Sequence, residues 1–219
     1  MVFRVLLCNW LFAALATAAL AQAPGPKVRI AVFGDSLSAG FQLKATESFP
    51  AQLERSLKAR GLAVEVINAS VSGDTTASAL ERLRWSLPER VDAVILQLGA
   101  NDALRGLDVN RAKANLDKMI ATIKASGAEV LLAGMIAPRN LGEGYTQEFD
   151  AIYRDLAGKH GTLLYPFFLD GVALNAQLNL GDGLHPNGRG VAEITKRILP
   201  SVEQLIERVR ARQARNAKG

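Results

Sequence analysis

The sequence predicts an α/β protein of three layers, in which a parallel sheet of about five strands is covered by helices on both faces. Two observations lead to this class. Short apolar segments alternate along the chain with longer segments of helical periodicity. The apolar segments also carry no polar face, which is typical of strands in a parallel sheet that is buried on both sides. In such sheets the functional residues lie on loops at the carboxyl ends of the strands.

The predicted strands are short and rich in β-branched residues, and the first of them ends at Gly34, where a tight turn can follow. They span residues 27–33, 63–67, 93–98, 129–133 and 162–165. Helical patterns occupy residues 48–60, 75–87, 109–126, 146–159 and 190–208. Gly61 and Gly127 directly follow two of these helices, as is common at helix C-termini.

The first 21 residues are predicted to be a signal peptide. Arg4 precedes an apolar stretch of about 17 residues, and Ala19 and Ala21 provide the small residues that a cleavage site requires. The stretch is shorter than the roughly 20 residues that span a bilayer. We therefore expect cleavage near Ala21 and a periplasmic or secreted protein. The single cysteine, Cys8, would be removed, so the hydrophobic core alone must hold the mature fold.

The basic character of the chain, with a net charge of +5, comes from its C-terminal end. We divide the mature chain into a folded domain at 22–206 and a basic tail at 207–219, which holds five Lys or Arg and one Glu. Because the charges of the folded domain balance, we expect no nucleic-acid partner. The tail could associate weakly with an anionic membrane, although a solvated helix end is the simpler interpretation. A monomer and a small homo-oligomer are both compatible with this composition.

The loop after the first predicted strand contains a candidate nucleophile. It reads Gly34-Asp35-Ser36-Leu37, which places Ser36 at the start of a turn or helix, where its backbone N–H can face an anion. The same pattern also suits an ordinary helix cap, so it is a weak indication on its own. The chain lacks the G-x-S-x-G motif of the α/β-hydrolases, which disfavours that fold.

Three later loops carry the other groups that acyl transfer needs. Gly73 and Asn101 follow the second and third strands and could donate hydrogen bonds to a substrate oxygen, although a glycine turn and an Asx turn are the structural alternatives. Asp182 and His185 are three residues apart, so a turn lets the carboxylate hold Nδ1–H and leaves Nε2 free as a base. With Ser36, these residues provide a nucleophile, a base, an orienting carboxylate and oxyanion donors.

The blocks GDSLS, the Gly73 loop, GAND and DGLHP stand in the order that characterises the SGNH (GDSL) hydrolases, and the chain resembles this family from about residue 27 to its final helix. The segments INASVSGDTTASALERL and YPFFLDGV are similar to the branch of bacterial thioesterases I, lysophospholipases L1 and arylesterases. The resemblance implies a flavodoxin-like fold and a serine esterase that forms an acyl-enzyme on Ser36. Its oxyanion hole would comprise Ser36, Gly73 and Asn101, and no metal or organic cofactor is required.

Loops beside these residues are expected to bind the acyl or aryl group of a small ester or thioester. The segment 138–147 contains two glycines and is predicted to close as a flap over the substrate. Ala100 stands where this branch more often has glycine, and its methyl group narrows the space beside the oxyanion hole. The residues predicted to contact substrate are Asp35, Leu37, Ala100, Leu104, Pro138, Leu141, Tyr145 and Leu184.

Two other functions fit parts of the sequence. A carbohydrate O-acetyl esterase of the same fold would act only on short acetyl esters. A non-catalytic protein could instead hold a phosphate in the loop GDSLSAG. That loop lacks the lysine of a phosphate-binding P-loop, and a binding function leaves Asp182 and His185 without a role.

Overall fold

The computed structural model describes residues 26–217, and the predicted signal peptide at 1–21 lies outside them. The strands are β1 (Val28–Gly34), β2 (Val64–Asn68), β3 (Ala93–Gln97), β4 (Glu129–Ala133) and β5 (Leu163–Tyr165). They form one sheet in the order β2-β1-β3-β4-β5, and every neighbouring pair is parallel. The predicted fold class and the five-stranded parallel sheet are confirmed.

Helices cover both faces of this sheet. They are α1 (Ser36–Ala39), α2 (Phe49–Ala59), α3 (Thr76–Ser86), α4 (Ala100–Leu104), α5 (Val109–Ala125), α6 (Glu143–His160) and α7 (Gly188–Asn216), with 3-10 turns at Ala45–Glu47 and Arg139–Leu141. Helices α2 and α7 pack on one face, and α5 and α6 pack on the other, with α3 beside α5. This is the doubly wound, flavodoxin-like arrangement, in which ligands bind outside the carboxyl ends of the strands.

The two central strands form the middle of the core. Residues 93–97 of β3 are all inaccessible to solvent, as are Ile30, Val32 and Phe33 of β1. Burying each large apolar side chain contributes about 1.5 to 3 kcal/mol. Burial on both faces explains why these strands are apolar without alternation. The register pairs Gly34 with Gln97, so the carboxyl ends of β1 and β3 lie side by side.

Helix α6 begins at Glu143, three positions before the predicted start at 146. Gly144 lies in its first turn, and a glycine inside a helix lowers the helical propensity from which the boundary was predicted. The turn or helix expected to begin at Ser36 is the short helix α1, whereas α4 was not predicted, because it is little more than a single turn soon after β3.

Helix α7 extends to Asn216, beyond the predicted end at 208, so the segment that was predicted to be a basic tail continues this helix up to that residue. Val209 is buried, and Arg212 donates hydrogen bonds to the carbonyls of Gly127 and Asp92. These contacts anchor the last turns against the loops before β3 and β4. No helix among residues 26–217 combines the length and apolar character needed to cross a membrane.

Candidate active site

Three of the predicted site residues meet at one edge of the sheet because of its strand order. Ser36 follows β1, Gly73 lies in the loop after β2, and Asn101 follows β3. These strands are neighbours in the order β2-β1-β3, and all run in the same direction. Strand β1 is also where the strand order reverses, which opens a crevice at the carboxyl ends.

Ser36 is the first residue of α1, and Asp35 caps this helix. The carboxylate of Asp35 accepts a hydrogen bond from the backbone N–H of Leu37 at 3.0 Å. Because the first N–H groups of a helix have no acceptor within the helix, the N–H of Ser36 is available to a substrate oxygen. Ser36 is 9% exposed, so it lies at the border between the core and the surface, where a substrate can reach it.

The side chains of Ser36, His185 and Asp182 form a chain of hydrogen bonds. Nε2 of His185 lies 2.9 Å from Oγ of Ser36, and Nδ1 lies 2.6 Å from Oδ2 of Asp182. The other oxygen of Asp182 accepts from the backbone N–H groups of His185 and Leu184 at 3.0 and 2.9 Å. These hydrogen bonds, together with that of the imidazole, lower the pKa of Asp182 to about 2. The carboxylate is therefore ionised at neutral pH and can hold the imidazole with Nε2 towards the serine.

The loop that carries His185 is fixed by its own backbone and by an aromatic contact. Asn179 and Pro186 form an antiparallel bridge across the loop, and the N–H of Leu180 donates to the carbonyl of His185 at 2.7 Å. The ring of Phe41 packs against the imidazole, with 4.5 Å between ring centroids. The position of the imidazole is thus set before any substrate binds.

Gly73 and Asn101 offer hydrogen-bond donors next to the serine. Gly73 has φ +88°, a conformation that favours glycine, and no atom lies within 4 Å of where a Cβ would stand. Asn101 donates one N–H of its side-chain amide to the carbonyl of Asp74 at 2.8 Å. An asparagine amide has a second N–H, which this contact leaves for a ligand. The arrangement can therefore present donors from three adjacent strand ends to one anionic oxygen.

The residues predicted to contact substrate fall into two groups. The buried group is Asp35, Leu37 and Ala100. Asp35 is fully inaccessible and its carboxylate caps α1, so this side chain has no surface to offer a substrate. The exposed or half-buried group is Leu104, Pro138, Leu141, Tyr145 and Leu184. The hydroxyl of Tyr145 donates to the carbonyl of Leu107 at 2.9 Å and so anchors the loop after α4.

The segment 138–147, predicted to act as a flap, is structured along most of its length. It contains the 3-10 turn Arg139–Leu141 and the beginning of α6. Asp150 anchors it from α6, since its carboxylate accepts from the N–H of Ala137 at 2.9 Å and from Arg139 at 2.8 Å. These contacts hold the segment against α6 in this conformation.

Sequence reasoning missed a buried polar network behind Gly73 and Asn101. Arg82 of α3 donates to the carboxylate of Asp74 at 2.5 Å. Asp102 accepts from the N–H and hydroxyl of Thr76 at 2.8 and 2.6 Å, which ties α4 to the start of α3. Charged residues in a helical pattern usually face solvent, so the only sequence signal for Arg82 was its place beside the apolar Leu83.

The second histidine lies away from this site. His160 is the last residue of α6, which leads into the amino end of β5, and its Nε2 is 2.6 Å from Oδ1 of Asp117. Within residues 26–217 there is no group of three or more His, Cys, Asp or Glu side chains that could hold a metal ion.

Comparison with known proteins identifies the family. The model of the GDSL-like lipase/acylhydrolase family matches residues 32–193, which is most of the chain. The chain belongs to this family. The resemblance that the sequence motifs carry is thereby confirmed, and with it the predicted class of enzyme, a serine hydrolase of carboxylic ester bonds.

Individual relatives agree with this family. An arylesterase of Vibrio mimicus is 42% identical over 168 residues, which cover 76% of this chain and 84% of the relative. Thioesterase 1/protease 1/lysophospholipase L1 of Escherichia coli (strain K12) is 38% identical over 157 residues, which cover 71% of this chain and 74% of the relative. A crystal structure of TesA superposes with a TM-score of 0.77 at 36% identity, covering 81% of this chain and 99% of that one.

Proposed function

We propose that this hydrolase cleaves esters and thioesters with Ser36 as nucleophile, His185 as general base and Asp182 as the orienting carboxylate. The chain of hydrogen bonds from Ser36 Oγ through the imidazole to Asp182, at 2.9 and 2.6 Å, carries the proposal. His185 takes the serine proton as Oγ attacks the acyl carbonyl, and the ionised Asp182 stabilises the imidazolium. The imidazolium then protonates the leaving alcohol or thiol, and water repeats the sequence on the acyl-enzyme.

The tetrahedral intermediate places a negative charge on the former carbonyl oxygen. We assign the N–H groups of Ser36 and Gly73 and the Nδ2 of Asn101 as its hydrogen-bond donors. The loss of one such donor typically raises the barrier by about 3 to 4 kcal/mol. The positive end of the α1 dipole would add to this stabilisation, although α1 is only one turn long.

The surface around the serine favours apolar acyl or aryl groups. Large aliphatic side chains are exposed beside His185 and on the segments that follow β2, β3 and β4, and they are Val71, Leu104, Leu107, Ile136 and Leu184. Apolar surface gathered on loops at one edge of the sheet is suited to bind a hydrocarbon chain or an aromatic ring. The relatives, an arylesterase and thioesterase 1/protease 1/lysophospholipase L1, support the same substrate classes. A carbohydrate O-acetyl esterase would instead need polar groups there to bind a sugar.

We further propose export after cleavage near Ala21. For the segment 207–219, we propose at most a weak association with anionic membranes. Arg208 and Arg212 already donate to backbone carbonyls of their own chain, which leaves less of the positive charge for lipid headgroups. A monomeric or small homo-oligomeric state stays a prediction.

The decisive experiment measures hydrolysis of p-nitrophenyl esters, from acetate to palmitate, by the mature chain. Ser36→Ala and His185→Ala should each lower kcat/KM by about a thousandfold or more, because either change removes the attack step. His160→Ala is the matched control and should retain activity, since His160 lies at the opposite edge of the sheet. Retained activity in Ser36→Ala would contradict the assignment, and activity confined to the acetate would favour the acetyl esterase.

A further inference from the structure

A buried ion pair lies directly behind the proposed oxyanion hole. Nε of Arg82 is 2.5 Å from Oδ2 of Asp74, and the two side chains are 6% and 10% exposed. Removing both charges from water is costly, and a buried ion pair often stabilises a fold no better than apolar side chains of the same shape. The other contacts of Arg82 and Asp74 therefore indicate whether the pair has a role besides stability.

Arg82 connects the ends of two strands through backbone carbonyls. Its Nη1 donates to the carbonyl of Ala69 at 2.8 Å, just after β2, and its Nη2 donates to the carbonyl of Gly34 at 3.2 Å, at the end of β1. The guanidinium carbon also lies 4.0 Å from the ring centroid of Phe33. A planar guanidinium can make these contacts at once, whereas a lysine ammonium is a single point of charge. The carbonyl of Gly34 is two residues from Ser36, so Arg82 holds the main chain that leads to the nucleophile.

Asp74 extends the network from Arg82 to Asn101. Its carboxylate accepts from Arg82 and from the hydroxyl of Ser78 at 2.9 Å, while its carbonyl accepts from Nδ2 of Asn101 at 2.8 Å. Gly73 is the preceding residue, so its position depends on how Asp74 is held. The ion pair thus constrains the loop of one donor and the amide orientation of the other.

We propose that Arg82 is a positioning residue that sets the geometry of the oxyanion donors through Asp74 and through the ends of β1 and β2. This inference rests on the assignment of Ser36, Gly73 and Asn101 as those donors. Arg82 is buried and acts only through other residues, so its replacement should slow the chemical step more than it weakens substrate binding. A misplacement of about 1 Å in a catalytic group can lower the rate about a hundredfold.

The test compares Arg82→Lys and Asp74→Asn with the wild type, using p-nitrophenyl butyrate. We expect kcat to fall about 10- to 100-fold while KM changes by less than about threefold. The Ki of butylboronic acid, which forms a tetrahedral adduct with an active-site serine, should rise by about the same factor.

A matched control is available at the opposite edge of the sheet. Arg212 also ties two loops together, since it donates to the carbonyls of Gly127 and Asp92. Arg212→Lys should change the melting temperature but leave kcat within about twofold of the wild type. A positioning role predicts different kinetic effects for the two arginines, whereas a purely structural role predicts similar ones.

Further variants distinguish a wrong positioning role from a variant that does not fold and from a wrong assignment of the oxyanion donors. A lower melting temperature with kcat and Ki unchanged in the folded Arg82→Lys enzyme would overturn the proposal. If Arg82→Lys does not fold, Asp74→Asn decides, since it keeps the shape and backbone carbonyl of that residue. In the Asn101→Ala variant, Arg82→Lys should lower kcat by a smaller factor than it does in the wild type, because one of the donors that Arg82 positions is already absent. An equal fall in kcat in the wild type and in Asn101→Ala would contradict the mechanism. Failure of the underlying assignment is recognised independently, since Ser36→Ala and Asn101→Ala would then retain activity.

Discussion

The carboxyl group of Asp35 is completely buried, and this burial raises its pKa from 3.8 to about 7. The negative charges of Asp102 and Asp74 raise it further, whereas the hydrogen bond from the N–H of Leu37 and the neighbouring side chain of Gln97 lower it. Among the described residues, Oδ2 of Asp35 and Oε1 of Gln97 are both buried without a hydrogen-bond partner. A proton on the carboxyl group would supply the missing donor, because the resulting O–H can bond to Gln97.

Replacing Asp35 with asparagine tests this protonation. Asparagine retains an oxygen that caps α1, and its amide can donate to Gln97 without titrating. In the wild type, the unfolded state releases this proton near pH 3.8, whereas the folded state retains it up to about pH 7. The free energy of unfolding must therefore fall as pH rises through this window. Between about pH 4 and 8.5, the raised pKa should lower the free energy of unfolding of the wild type by about 4 kcal/mol. Asp35→Asn does not undergo this loss, so its free energy of unfolding relative to that of the wild type should rise by about the same amount over this range.

Urea unfolding, followed by circular dichroism at about pH 4 and 8.5, measures this difference. Subtracting the change in the wild type from the change in the variant cancels the contribution of all other titrating groups. Asp108→Asn is the matched control, because Asp108 caps α5 through the N–H of Arg111 at 2.8 Å but is exposed. The change in the free energy of unfolding between the two pH values, taken as variant minus wild type, decides the outcome. A value below about 1 kcal/mol for Asp35→Asn, or one no larger than that of the control, would refute the reasoning.

Three further substitutions test the orienting carboxylate, the turn before Asn101 and the first turn of α6. Asp182→Asn should lower kcat about a hundredfold or more on p-nitrophenyl butyrate, because an amide cannot stabilise the imidazolium, and a loss below about tenfold would count against this role. Because the pKa of Asp182 is lower in the folded protein, this residue stabilises the fold at pH values above its unfolded pKa of 3.8, and the stabilisation is lost as pH falls towards about 2. Any excess in the free energy of unfolding of the wild type over that of Asp182→Asn should therefore disappear near pH 2. Gly99→Ala should lower the free energy of unfolding by about 2 kcal/mol or more, because Gly99 has φ +110° and a Cβ would lie 2.2 Å from Oη of Tyr153. Gly144→Ala, inside α6 with no atom near its Cβ position, should instead raise it by about 0.5 to 1 kcal/mol, and urea unfolding of both variants distinguishes the signs.

The sheet was predictable because its central strands are buried on both faces. Burial on two sides requires apolar residues at every position, and β1 and β3 show this pattern directly. Helix boundaries were less predictable, since they depend on contacts between distant segments. Helix α7 continues past 208 because Val209 and Arg212 contact the body of the protein, and the local sequence there shows only a charged, solvated pattern.

The candidate catalytic residues were predictable because parallel topology sends the carboxyl ends of neighbouring strands to one edge. Polar residues directly after apolar strands, such as Ser36 and Asn101, therefore stand out in the sequence. Arg82 did not stand out, since its acceptors are backbone carbonyls at Gly34 and Ala69, and any sequence at those positions provides a carbonyl. The supporting network could be found only once the tertiary structure was known.

The two carboxyl groups nearest the reacting residues have opposite environments, and this difference suits their positions. The side chain of Asp182 is 37% exposed, yet backbone hydrogen bonds keep it ionised, as the proposed imidazolium of His185 would require. Asp35 is adjacent to Ser36 in the chain, and burial favours its neutral form up to about pH 7. Under the proposed mechanism, an ionised Asp35 would place negative charge beside the oxyanion at Ser36 and would oppose its formation. For the proposed mechanism, the fold therefore keeps charge where it would assist proton transfer and, up to about pH 7, suppresses charge where it would oppose the oxyanion.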